Sequence, residues 1–310
     1  MISGVSSADY NESLRAFSSA GRAVSRALIF AKEIVHEGMP VVELCERVEG
    51  AIRANGCEPG FPTNVSIDSV AAHYTASISD GEVLIPKQAI VKIDAGAHSK
   101  GYIADSALTV SFNTHAETLV LAAKNALNAA ISALRVGVTV GEVGAAIEKA
   151  IRAQGVSPVV DLSGHTIERY SLHAGVNIAN YANRSSHRLT AGTAFAIEPF
   201  ATFGKGHIKD DREGRIYRGI RRVRSPIKFD QRVLEFAIEE RKGMPFTDRW
   251  LRNTGSREEV LSSIRRLVRF GGLYEYKVLL ESSGGLVSQF EHTIFMATDG
   301  PLVVSGREGD

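Results

Sequence analysis

Gly38-Met39-Pro40-Val41-Val42-Glu43 opens a segment that closes on Ala51-Ile52-Arg53-Ala54-Asn55-Gly56-Cys57-Glu58-Pro59. Ninety-nine residues later, Gly137-Val138-Thr139-Val140-Gly141-Glu142 opens another that closes on Ala150-Ile151-Arg152-Ala153-Gln154-Gly155-Val156-Ser157-Pro158. Gly38/Gly137, Val41/Val140, Glu43/Glu142, Glu49/Glu148, the Ala-Ile-Arg-Ala blocks, Gly56/Gly155 and Pro59/Pro158 all match in one register. A single shared tetrapeptide arises by chance in helical sequence; a whole series at constant offset marks an internal repeat.

Each copy has the pattern of helix, tight turn, helix. Arg22 to His36 and Leu119 to Leu134 carry apolar residues at three- and four-residue spacing, the mark of amphipathic helices. Pro40 and Thr139 suit the start of the second helix in each pair, and Gly56 and Gly155 suit its end. Strand-like sequence follows each pair, so the expected fold class is α+β, two halves related by a pseudo-two-fold.

In the first half, Ile90 to Ala97 and Tyr102 to Val110 flank the turn-prone Ser99-Lys100-Gly101. A turn centred between Ser99 and Lys100 predicts that Asp94 and Asp105 face each other directly, with Cβ atoms about 4.5–5.5 Å apart. Two like charges so placed repel, and a cation between them removes the conflict. The second half offers Ala194 to Pro199 and Ser288 to Ile294, which place Glu198 in correspondence with Asp94 and Glu291 with Asp105. The interval between them is expected to be an insertion at the second hairpin's tip, with helices over Asp230 to Lys242 and Arg257 to Phe270. The predicted organisation is a catalytic body of residues 1–204 and 272–310 with a helical insertion subdomain at 205–271.

Composition narrows the class. The 310 residues are 44% hydrophobic and 23% charged with a net charge of +1, ordinary for a globular protein and without a bias toward a polyanionic partner. Cys45 and Cys57 lack framework spacing, so a reducing cytoplasm and inert thiols are expected. Met1-Ile2-Ser3-Gly4 has no basic segment followed by an apolar one, and no run approaches the roughly 18–20 apolar residues of a membrane span. No membrane association is expected, and the chain is expected to be a monomer.

Four carboxylates converging from two hairpins, with His165 as a fifth candidate and His173 following it, favour hard to borderline divalent ions: Mn, Fe or Co, with Zn admissible. Two such ions about 3.5–4 Å apart lower the pKa of a shared water and polarise a carbonyl, which suits peptide hydrolysis. The ordered motifs Phe61-Pro62-Thr63-Asn64, Ala71-Ala72-His73-Tyr74-Thr75, Lys92-Ile93-Asp94-Ala95-Gly96, Asp105, Gly164-His165, His173-Ala174-Gly175, Ala196-Ile197-Glu198 and Gln289-Phe290-Glu291-His292-Thr293 span nearly the whole chain. In that order they resemble the pita-bread family of metallopeptidases and, within it, the type II methionine aminopeptidases of archaea, whose mark is a helical insertion before the last acidic ligand.

The resemblance implies removal of the initiator methionine from nascent polypeptides, with a preference for a small second residue. It implies that two divalent ions are held by Asp94, Asp105, His165, Glu198 and Glu291. In this scheme Asp94 is bidentate to one metal, Asp105 and Glu291 bridge both, and Glu198 doubles as base for the attacking water. It implies that His73 and His173 contact the scissile peptide, that Phe61, Leu172, His173 and Tyr276 shape the methionine pocket, and that fumagillin-type epoxides alkylate His73.

Each position also has a plainer reading. His98 and His187 suit the surface, and strand alternation turns His292 away from its neighbour Glu291. The run Arg215, Arg218, Arg221, Arg222, Arg224 and Lys228 is most simply a solvated face; the functional alternative is a transient ribosome contact through RNA phosphates. The enzyme rival is a prolidase or aminopeptidase P, which carries an additional N-terminal domain. The other rival is a non-catalytic RNA- or protein-binding member of the same fold, which would lack ligands that are present here. Ile2 is bulky, so the chain is expected to keep its own Met1.

Overall fold

The computed structural model describes residues 7–211 and 214–306, so Met1 and Ile2 lie outside it. The repeated segment folds as predicted. Helices α1 (Ser7–Ile34) and α2 (Val41–Ala54) are matched by α3 (Glu117–Ala133) and α4 (Val140–Ala153). Helix α1 begins well before the predicted Arg22. Thr139 caps α4 through a reciprocal capping box with Glu142, while Pro40 precedes α2 with φ fixed at −62° and no side-chain cap. Gly56 and Gly155 leave these helices at φ +77° and +73°, the left-handed stop that glycine adopts without strain.

The halves also agree in their loops. The Gly38 amide donates to the Ile85 carbonyl and the Gly137 amide to Leu189, both at 2.8 Å. That second equivalence has an offset of 104, five more than in the helices, and the same offset carries Asp94 to Glu198.

The central sheet has eight strands, antiparallel at every pairing: β1 (Glu58–Ile67), β2 (Ile90–Ser99), β3 (Tyr102–Ser111), β4 (Ser163–Ile167), β5 (Asn177–Ala179), β6 (Ala194–Ile197), β7 (Glu291–Ala297) and β8 (Gly300–Val303). Their order is β1-β2-β3-β7-β6-β4-β5, with β8 also on β7, so the pseudo-two-fold runs between β3 and β7. Val91, Ile93, Ala95 and Ala97 of β2 pack into a core with α1 and α2, and Ile178, Phe195, Ile197 and Ile294 pack into a second core with α3 and α4. Alternation therefore turns Asp94 and Gly96 to the face opposite the helices.

The first hairpin departs from its predicted register. Ser99 pairs with Tyr102, and the turn is Lys100-Gly101, both residues at positive φ (53° and 88°). This two-residue turn matches the twist of its strands. It moves the centre one residue along, so Asp94 lies opposite Ala107 and Asp105 opposite Gly96. The two acids share a face but stand diagonally.

Between β6 and β7, the insertion contributes α5 (Lys228–Glu235), α6 (Arg257–Arg269) and a small sheet of Ile216–Gly219 between Phe246–Thr247 and Leu273–Tyr276. Phe229, Val233, Phe246, Ile264 and Leu267 pack into a core there. The helix predicted over Asp230 to Lys242 stops being α-helical at Glu235 and continues as a π-helical turn over Phe236–Glu240. The wider turn brings Arg241 inward, where its guanidinium donates to the carbonyls of Pro59, Gly60 and Pro245 at 2.9–3.0 Å. Arg249 ties the insertion to α2. It donates to Glu49 Oε1 at 2.7 Å and to the Ala76 carbonyl at 2.8 Å, with both charged side chains almost fully buried. No helix among the described residues is long and apolar enough to cross a membrane.

Candidate metal centre and substrate cavity

The sheet brings the predicted acids together from four strands, Asp94 and Asp105 from mid-strand and Glu198 and Glu291 from strand ends. Glu291 opens β7 opposite Ala107, which puts it on the same face as Asp94 and Asp105. His292 pairs with Ile197, and one further step in that register sets Glu198 opposite Glu291. His165 on β4 lies opposite Ala196, and its Nε2 is 3.6 Å from both Asp105 Oδ2 and Glu198 Oε1. Those separations exceed a hydrogen bond. Asp105, His165 and Glu291 each offer one ligand atom, all within 4.8 Å of one another.

Such a cluster is costly by itself. Burial pushes Asp94, Glu198 and Glu291 well above the usual carboxylate range, and mutual repulsion adds to it; burial lifts Asp105 to about 7. Burial also lowers His165 to about 4, leaving a neutral imidazole. Asp94 Oδ1, Asp105 Oδ1 and Glu291 Oε1 are buried without a hydrogen-bond partner. Anionic oxygens and a neutral imidazole converging with lone pairs unused fit a divalent cation, and buried polar groups left otherwise unpaired would be unfavourable.

The cluster forms the floor of a cavity of about 300 Å³. Phe61, His73, Leu172, His173 and Tyr276 line it together with Asp94, Asp105, His165 and Glu198, while Glu291 lies beneath the lining. Phe61 stands across from Gly96, whose missing side chain makes room for the ring. The His73 backbone is left-handed at φ 64°, and its Nδ1 is 3.1 Å from the Lys277 carbonyl. A carbonyl only accepts, so Nδ1 carries the proton and Nε2 is the free acceptor. Tyr276 meets the His73 ring edge-on at 5.6 Å between centroids. The His173 ring lies 4.2 Å from that of His165, and burial, reinforced by His165, His73 and Arg218, lowers it to about 3.

Other lining residues were not assigned a role from sequence. Asn64 stands opposite Asp94 on the cavity wall, and behind the lining the buried Gln289 amide donates to Glu291 Oε2 at 3.2 Å. Gln289 lies two residues before Glu291, a same-face spacing that signals it. The position of Asn64 depends on two register shifts between β1 and β2 that no pattern reveals. Ile216, Pro245 and Leu279 come from the insertion and its flank.

The bland alternatives divide. His292 turns from the cluster toward Ser106, with Nδ1 and Oγ 3.3 Å apart. His98 is not freely exposed, because its Nδ1 accepts the Gly101 amide and burial lowers it to about 4. Cys45 and Cys57 are free, buried thiols. In the basic run, Arg215 pairs with Asp80 and Arg222 with Glu239, so the face is partly self-neutralised.

Residues 15–234 match the Metallopeptidase family M24. A methionine aminopeptidase of Methanothermobacter thermautotrophicus is 39% identical over 295 residues, 94% of this chain and 98% of the relative. One of Pyrococcus horikoshii is 43% identical over 289 residues, covering 92% and 97%. Among solved structures, a thermophilic Arx1 aligns over 96% of this chain and 92% of its own with a TM-score of 0.82 at 16% identity. A methionine aminopeptidase of Thermotoga maritima aligns over 99% and 100% with a TM-score of 0.69 at 19% identity. At those identities the structural matches speak for the pita-bread fold alone.

Proposed function

The chain belongs to metallopeptidase family M24, and from that premise we propose that it removes the N-terminal methionine from nascent polypeptides, with a small second residue preferred. The observation that carries the site is the buried cluster of Asp105, His165 and Glu291, flanked by Asp94 and Glu198, with carboxylate oxygens unpaired. These five residues would hold two divalent ions, Co, Mn or Fe with Zn admissible, which supply an activated water and polarise the scissile carbonyl when bound.

The protein's own groups do the rest. Glu198, with its carboxyl lifted by burial and by Asp105 and Asp94, is suited to take the proton of the attacking water and return it to the leaving amine. His73 offers an unprotonated Nε2 to an N–H of the substrate, and burial keeps the ring neutral. The same lone pair is the atom an epoxide would alkylate. His173, also neutral, contacts the peptide from its place beside His165. Phe61, Leu172 and Tyr276 enclose the methionine side chain and exclude water from the reacting atoms.

Residues 1–204 and 272–310 serve as the catalytic body, and residues 205–271 as an insertion that completes the cavity wall; the insertion's apolar core supports the division, with the strand Leu273–Tyr276 joining that core from just beyond its boundary. The deciding assay is hydrolysis of Met-Ala-Ser against Xaa-Pro peptides after stepwise metal reconstitution. Release of methionine is expected; faster Xaa-Pro cleavage would overturn the assignment.

A further inference from the structure

Next to the main cavity lies a second hollow of about 210 Å³. It shares Leu172, His173 and Tyr276 with the first, and Tyr170, Arg218 and Tyr274 form its outer wall. The register of the small sheet explains the wall: Ile216 pairs with Tyr276 and Arg218 with Tyr274, so these four side chains share one face. Tyr217, between Ile216 and Arg218, and Leu273, next to Tyr274, turn into the core of the insertion.

Arg218 is the arginine of the run that lines the hollow. Arg215 and Arg222 are paired with acids, whereas no carboxylate among the described residues pairs with Arg218. Its guanidinium rests over the Tyr274 ring, 5.5 Å from the centroid, and is exposed to solvent. The combined space thus has an acidic floor at one end and a single unpaired cation on an aromatic wall at the other.

Resting on the reading of the main cavity as the methionine site, we propose that the outer hollow receives the substrate chain beyond its second residue and that Arg218 selects a carboxylate there. An extended chain advances about 3.3–3.6 Å per residue, and because the two spaces share Leu172, His173 and Tyr276, the residues just beyond the second have this hollow as their adjoining space. Three peptide pairs separate the sources of that carboxylate. Met-Ala-Asp-Ser amide against Met-Ala-Asn-Ser amide probes a side chain at the third position. Met-Ala-Ser-Asp amide against Met-Ala-Ser-Asn amide probes the fourth, and Met-Ala-Ser acid against its amide probes a free terminus.

In the native enzyme at low salt, kcat/KM should favour the carboxylate member of at least one pair by about three- to fivefold, the size of a partly exposed ion pair. The preference should fade at high salt through screening. Arg218→Gln should bring the ratio to about one, and Arg218→Lys should retain part of it. Ratios near one in all pairs, or a ratio unchanged in Arg218→Gln, would overturn the proposal. Methionine release from the neutral amides shows that the parent reading stands when the selectivity does not; no release from any peptide overturns both.

Discussion

Gly96→Ala isolates the shape of the proposed methionine pocket from its chemistry. Gly96 has no left-handed backbone requirement, so alanine is tolerated conformationally and the whole effect comes from the added methyl. That Cβ would sit 2.3 Å from Cε1 and 2.5 Å from Cδ1 of Phe61. Carbon atoms settle about 3.5–4.0 Å apart, so the ring must retreat by more than an ångström. Phe61 is only 5% exposed, and the cavity is the free space beside it. Overpacking of this kind costs about 1–3 kcal/mol, roughly five- to 150-fold in an equilibrium constant. If the ring moves into the cavity, the loss falls on methionine binding and KM for Met-Ala-Ser rises while metal content stays. Steady-state kinetics of the native enzyme, Gly96→Ala, Phe61→Leu and the double variant complete the test. The double variant should be much less impaired than the two single effects predict, since the smaller side chain vacates the collision. Additive losses, or an unchanged KM with only a lowered melting temperature, would refute the account.

Three further outcomes follow from other parts of the structure. Asp105→Ala should lose at least one equivalent of metal by elemental analysis and nearly all turnover; retained activity would mean that the ligand set is misassigned. Burial lifts Asp105 from 3.8 to about 7, so metal-stripped protein should lose this group's contribution to stability as pH rises through that window. His73 and His173, lowered by burial, act in the opposite sense but on loaded and stripped protein alike, so they cancel in the difference between the two. The readout is therefore the gap in melting temperature between metal-loaded and stripped samples, which should widen from mildly acidic to neutral pH; a constant gap would contradict it. Arg249→Met should destabilise the chain by about 3–5 kcal/mol in denaturant titration, because it leaves Glu49 charged and buried with its main partner gone. A loss below about 1 kcal/mol, the range of an exposed pair, would contradict the buried geometry.

The repeat made the architecture legible. Helix starts and stops recur at a fixed offset because the same turns recur, and both glycine exits appear at their predicted places. The carboxylates were legible too, since like charges on paired strands demand a counter-ion. What sequence missed depends on conformation between residues. Ser99-Lys100-Gly101 allows several turns, and only the left-handed Lys100 selects the register that sets Asp94 and Asp105 diagonally. The π-helical turn at Phe236–Glu240 depends on carbonyls at Pro59 and Gly60, far away in sequence, that draw Arg241 inward. In sequence Arg218 is one arginine in a solvated run, and only its register opposite Tyr274, at the edge of the hollow, sets it apart.

Strand β7 occupies the middle of the sheet although every other sheet strand except β8 precedes it in the chain. During synthesis, β3 and β6 would each present an open edge until β7 slots between them, and such edges invite wrong partners. Pairings across so long a separation also slow folding. Glu291 arrives with that same strand, so the acidic cluster is completed only when the two halves lock. With the proposed ligand set, the metal centre stays incomplete while the chain is still being made, and activity would report that the last strand has found its place.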